Sequence, residues 1–113
     1  MKIDETNKIN LLYDFYHSLL TEKQDQYMYL YYVEDFSLSE ISEQLNVSRQ
    51  AVLDNLHRTV NSLEKIDSEL NLINRTQEID YVSQRLSQIV EDKYPDDNEL
   101  HELVDRISKI NEK

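Results

Sequence analysis

The sequence contains no glycine, no cysteine and one proline, Pro95, among its 113 residues. Without glycine there is no Gly-rich loop to cradle a phosphate. The Asn-Gly and Asp-Gly turns favoured by tight β-hairpins are absent as well. Without cysteine, disulfides, thiolate metal sites and thiol nucleophiles are excluded. The longest apolar run, near Tyr27–Val33, falls far short of the ~20 residues that cross a bilayer. The chain opens on Lys2, Asp4 and Glu5, with none of the apolar stretch of a signal peptide. No membrane is therefore expected as a partner, and the expected location is the cytoplasm. Basic residues are scarce: 12 Lys and Arg stand against 23 Asp and Glu, a net charge of −11.

Hydrophobic residues make up 39% of the chain and charged residues 31%, enough apolar material for a modest core in a single small domain or a domain with an extension. The acid is spread along the whole length. Residues 1–73 carry 6 Lys and Arg against 13 Asp and Glu, and residues 74–113 carry 6 against 10. Neither part has the basic excess that usually neutralises phosphates, so strong non-specific binding to DNA is not expected.

What is present is helical periodicity throughout, which predicts an all-α protein. Ile9, Leu12, Tyr13, Tyr16, Leu19 and Leu20 form one stripe of a first helix over about Glu5–Leu20. Thr21 with Gln24 reads as a capping box opening a second helix that runs to about Val33. Its tyrosines, Tyr27, Tyr31 and Tyr32, read as core-edge residues with wet hydroxyls rather than as a base-stacking platform. Ser37 with Glu40 is another capping box, and Phe36 with Ile41 matches a hydrophobic staple. A short helix Leu38–Leu45 follows. Asn46 suits a left-handed turn residue, and Ser48 suits the cap of the next helix. That helix keeps a seam of Val52, Leu56, Val60, Leu63, Ile66, Leu70 and Ile73, so it is predicted to be long.

Two amphipathic helices are expected beyond Asn74. The first carries Ile79, Val82, Leu86, Ile89 and Val90 and stops before Pro95. The second carries Leu100, Leu103, Val104, Ile107 and Ile110, with Asp96 and Glu99 as its capping box. The expected organisation is thus a helix-turn-helix domain over residues 1–73 and a helical extension over 74–113, packed on that domain or on a partner. The uncovered stripes predict a homodimer through the C-terminal half.

A helix-turn-helix needs two helices crossing at a short turn with apolar residues between them, and Ile41, Leu45, Val47, Val52 and Leu56 supply these. With Val52 and Leu56 facing inward, Gln50, Asp54, His57, Arg58, Asn61 and Lys65 point outward, and Ser48 and Arg49 stand at the helix start. These eight residues are the candidate DNA-binding set. Arg49 suits guanine and Gln50 suits adenine, while Arg58, Lys65 and His57 suit phosphates and Asp54 repels them. Residues Leu20–Lys65 resemble region 4 of bacterial sigma factors, through Leu20-Thr21-Glu22-Lys23, Tyr32–Ser37, Glu40–Ser48, Ala51-Val52 and Leu56-His57-Arg58. Over its full length the chain is most similar to the YlxM family, small helix-turn-helix proteins encoded beside the signal recognition particle GTPase. That resemblance implies a regulatory role connected with the signal recognition particle pathway. It supplies no catalytic or ligand-binding residues.

No catalytic constellation stands out. His101-Glu102 with Asp105 lacks the second histidine and the third ligand of a zinc site, and His17, His57 and His101 fall on different elements. No enzyme activity, cofactor or metal is expected. The expected function is regulation through DNA. The alternative is a protein-interaction adapter that binds the signal recognition particle GTPase or another protein and not DNA.

Overall fold

The computed structural model describes residues 3–112, so Lys2 of the charged opening lies outside them. Six α-helices and no strand occur among the described residues: α1 (Ile3–Tyr16), α2 (Glu22–Met28), α3 (Leu38–Leu45), α4 (Arg49–Leu70), α5 (Leu72–Lys93) and α6 (Asn98–Ile110). None is long and apolar enough to cross a membrane. The chain divides into two compact units, the first ending at Asn71 and the second beginning at Leu72.

In the first unit α1, α2 and α3 all pack on α4. The core is Ile9, Leu12 and Tyr16 of α1, Tyr27 and Met28 of α2, Leu30, Ile41 of α3, and Val52, Leu56 and Leu63 of α4. Two tyrosines on α1 add directed bonds. Tyr13 donates to Asp25 Oδ1 at 2.5 Å, and the buried Tyr16 donates to Asp67 Oδ1 of α4 at 2.5 Å. Burial, and then the Asp25 carboxylate beside it, holds the Tyr13 phenol well above its ordinary range.

Three departures from the sequence reading have local causes. The first helix leaves α geometry at Tyr16 and tightens into a 3-10 turn, His17–Leu19, closed by Leu20 N–H on His17 O at 3.0 Å. A 3-10 turn advances side chains faster around the axis than an α-turn, so Leu19 swings off the apolar stripe and is 62% exposed. The second helix loosens after Met28 into a π-helical turn, Tyr29–Val33, in which Glu34 N–H reaches Tyr29 O at 2.9 Å. The wider turn keeps Leu30 buried and leaves Tyr31 and Tyr32 half-buried as an edge-to-face pair, their centroids 4.9 Å apart. The seam of α4 also ends sooner than its spacing suggests. Asn71, at φ 55° and ψ 33°, caps the helix, and Ile73 belongs to α5.

The second unit is the antiparallel pair α5 and α6. Its inner contact is made of small and medium side chains: Ser83 and Val90 of α5 and Val104 of α6 are buried, and Asn111 Nδ2 donates to Thr76 O at 2.9 Å. The cap of α6 is Asp97, one residue later than expected, and its carboxylate accepts from Leu100 N–H at 3.1 Å. Pro95 fixes the loop, Asp97 N–H closes on Tyr94 O at 3.1 Å, and Asp96 is left outside the cap. With Leu100 rather than Glu99 three residues past the cap, no capping box forms. His101 Nε2 stands 3.0 Å from Pro95 O, bracing that loop.

Two capping boxes are present in full, Thr21 with Gln24 and Ser37 with Glu40. They differ in one respect. The bonds from the Ser37 backbone and side chain hold the Glu40 carboxyl below its ordinary value, whereas Gln24 does not titrate. The Glu40 box is complete above the ordinary carboxylate range and is lost as pH falls through the lowered value. Amide shifts followed by NMR on acidification should therefore show the start of α3 loosening while the start of α2 holds, and Glu40→Gln should remove the difference.

Asn46 at φ 55° and ψ 49° ends α3 in the left-handed region. Asn46→Gly should leave denaturant stability unchanged or slightly raised. Asn46→Val should lower it by about 1–2 kcal/mol, because a branched Cβ is strained there.

Candidate nucleic-acid interface

Three residues connect α3 to α4. Asn46 turns the chain, Val47 N–H closes on Ser42 O at 3.0 Å, and Ser48 accepts from Ala51 N–H at 3.0 Å to cap α4. Ser42 Oγ is bound to Ser39 O at 2.9 Å within α3. Beneath the turn Ile41, Val52 and Leu56 are buried, which sets the two helices across one another.

The inner line of α4 is Val52, Leu56, Thr59 and Leu63. Thr59 takes the buried place that the apolar spacing assigned to Val60, which is half-buried. The signal was there in the wheel, since residue 59 lies seven beyond Val52 and three beyond Leu56. A threonine can fill it because its hydroxyl has a local partner, Asn55 Oδ1, at 3.4 Å.

With that line turned inward, Ser48, Arg49, Gln50, Asp54, His57, Arg58, Asn61 and Lys65 are all exposed. Residues 50, 54, 57, 58, 61 and 65 form a single stripe at helical spacing, with Arg49 at its head. At 1.5 Å per residue, Arg49 to Arg58 covers about 13 Å, comparable to the width of a major groove, and Lys65 stands about 24 Å from Arg49. The first part of the stripe thus suits base edges, and its far end suits a backbone. Ser48 Oγ is committed to the cap and offers only its remaining hydrogen-bonding capacity.

Asp54 has a role the sequence did not reveal. Its Oδ1 accepts from Gln50 Nε2 at 2.9 Å, one turn earlier, and its backbone carbonyl lies 3.4 Å from Arg58 Nε. The bond leaves Gln50 one free N–H and its own carbonyl oxygen, the pair needed for a two-point contact with adenine. Asp54 is therefore a brace for Gln50 as well as a negative charge. On the stripe it is opposed by Arg49, Arg58 and Lys65, so this face is locally basic on a unit that is strongly acidic elsewhere.

Among the described residues no group of His, Asp and Glu is placed to hold a metal ion. The geometry is that of an exposed polar stripe carried by one long helix behind a three-residue turn.

Comparison with known proteins agrees with this architecture. Residues 3–107 match the profile of a family described as "Putative helix-turn-helix protein, YlxM / p13 like". A "UPF0122 protein" of Pediococcus pentosaceus is 45% identical over 112 residues, covering 99% of both chains. One from Anoxybacillus flavithermus is 45% identical over 108 residues, 96% of this chain and 98% of its own. One from Limosilactobacillus reuteri is 42% identical over 112 residues and 99% of both. With its helix-turn-helix intact and matches running nearly end to end, the chain belongs to the YlxM/p13-like helix-turn-helix family, UPF0122.

Proposed function

We propose that the protein is a non-catalytic DNA-binding regulator that lays the N-terminal half of α4 in the major groove. The observation that carries this reading is the exposed stripe headed by Arg49 and Gln50, with Gln50 held by Asp54 at 2.9 Å. Preorganising a base-reading amide lowers the entropy lost on binding. Arg49 reads guanine, Gln50 reads adenine, and Arg58, Lys65 and His57 take phosphates. Asn61 lies between the two groups and suits a phosphate or sugar edge.

So few cations give a distinctive salt dependence. Each phosphate contact adds about 0.9 to the slope of log affinity against log salt, so electrophoretic titration should give a slope of roughly −3 per subunit or shallower. Preference for genomic over random fragments should accompany it. Absence of retardation for every DNA at low salt would refute the reading.

The residues should separate by role in the same assay. Arg49→Ala should flatten sequence preference at a cost of about 1–3 kcal/mol on the preferred site. Lys65→Ala should weaken all sequences alike and reduce the slope by about 1. Asp54→Ala should lessen preference at the position read by Gln50 while strengthening overall binding, since it removes both a brace and a negative charge.

A second reading is favoured by the excess of 13 acidic over 6 basic residues in residues 1–73. On that reading the same face of α4 binds a protein, the signal recognition particle GTPase being the partner the family resemblance suggests, and the protein acts as an adapter in that pathway. The cations of that face would then pair with acidic groups of the partner. Binding of the GTPase that is lost with Arg58→Ala and indifferent to added DNA would support it over the first.

A further inference from the structure

The second unit buries its small residues and displays its large ones. Ser83, Val90 and Val104 face inward, while Ile79, Val82, Leu86 and Ile89 of α5 and Leu103 and Ile107 of α6 are 37–56% exposed. Ile107 of α6 lines one groove of about 640 Å³ together with Ile79, Val82 and Leu86 of α5, and helical spacing puts Ile89 and Leu103 beside them. With Ile110, which is 79% exposed, the face offers on the order of 500 Å² of apolar surface, near the top of what monomers display.

The rim of this face says what covers it. On α5, Glu78 lies four residues before Val82 and Arg85 three after it. On α6, Glu99 lies four residues before Leu103 and Arg106 three after it. Each helix thus carries the same edge, an acid and a base seven residues apart beside the apolar stripe. Two such edges laid antiparallel place each acid opposite a base, whether α5 meets α6 or α5 of another molecule. An interface about a two-fold axis needs this self-complementarity. The match holds although residues 74–113 carry a net acidic excess of 10 against 6, which disfavours an anionic membrane or a nucleic acid as occupant.

We propose that the α5–α6 hairpin is a dimerisation module whose apolar face packs on the same face of a second copy to complete a four-helix bundle. Two helices with one apolar face each cannot close a core, and four can. The apolar face alone supplies well over half of the about 800 Å² per partner of a standard interface, and the charged edges add to it. The inference stands apart from the DNA reading, since it uses no residue of α3 or α4.

The test pairs two variants of the full chain in analytical ultracentrifugation. The parent should sediment at twice the 13.6 kDa chain mass. Arg75 also lines the groove and is left unchanged; Arg85→Glu with Arg106→Glu makes the two paired edges wholly acidic, and Glu78→Arg with Glu99→Arg makes them wholly basic. Each double variant should self-associate at least about tenfold more weakly, because like charges then face one another. An equimolar mixture of the two should recover the dimer, which misfolding cannot mimic. Val82→Asp, at a position already 56% exposed, should keep its helical circular dichroism and lose the dimer. A parent chain that stays monomeric at about 100 μM overturns the proposal. So does a dimer unaffected by any of these changes, or a mixture that stays monomeric, either of which would assign the face to a different partner.

Discussion

α1, α2 and α3 are held together by what they share, the side of α4 that carries Val52, Leu56, Thr59 and Leu63. Burying an aliphatic side chain contributes about 1.5–3 kcal/mol, so this line and the residues packed over it outweigh any surface interaction in the unit. Its direction also fixes the direction of the opposite face. A helix has one rotation about its axis, and once the inner line is satisfied, Gln50, Asp54, Arg58 and Lys65 have no freedom to turn away from solvent. The outward stripe is a consequence of core packing, with the Asn46 turn setting where along the chain it begins.

A second constraint is that the chain turns without glycine. Asp35, Asn46 and Asn71 adopt positive φ of 60°, 55° and 55°, and each follows the end of a helical segment. Asn and Asp enter the left-handed region at lower cost than other residues with a Cβ, because their short side chains bond locally. Compared with glycine, they leave the unfolded chain fewer conformations to lose. Turns of this kind also hold their geometry more narrowly, which suits a connection of three residues that must aim a 22-residue helix.

The amino-acid sequence was most legible where a single residue type carries a single local job. The boxes at Thr21 and Ser37, the turn at Asn46 and the cap at Ser48 depend on neighbours within four residues, and all appear as their chemistry implies. Legibility failed where two residues could do the same job. Asp96 and Asp97 are chemically alike, and the turn set by Pro95 selects the second. Val60 and Thr59 compete for the inner line of α4, and the wheel favours the less apolar of the two. The end of α4 was hidden because Leu63, Ile66, Leu70 and Ile73 continue a perfect helical spacing through Asn71. The π turn at Tyr29–Val33 has no residue signature at all. In the candidate site, exposure followed from periodicity, but the bond from Gln50 to Asp54 is a matter of rotamers and not of spacing.

The bond between Tyr16 and Asp67 joins residues 51 apart in the first unit. Bringing such distant points together costs about 3–4 kcal/mol of chain entropy, against about 2 kcal/mol for the closures of roughly ten residues that join α3 to α4. The assembly order expected from this is sequential, with α3 and α4 joining early around their short turn and α1 docking late. In reverse, α1 would be the element expected to open first. Its departure uncovers Leu12 and Tyr16, yet leaves the Asn46 turn and the outward stripe of α4 standing. Amide exchange in this chain should therefore be partitioned, with protection lost earlier along α1 than along α3 and α4.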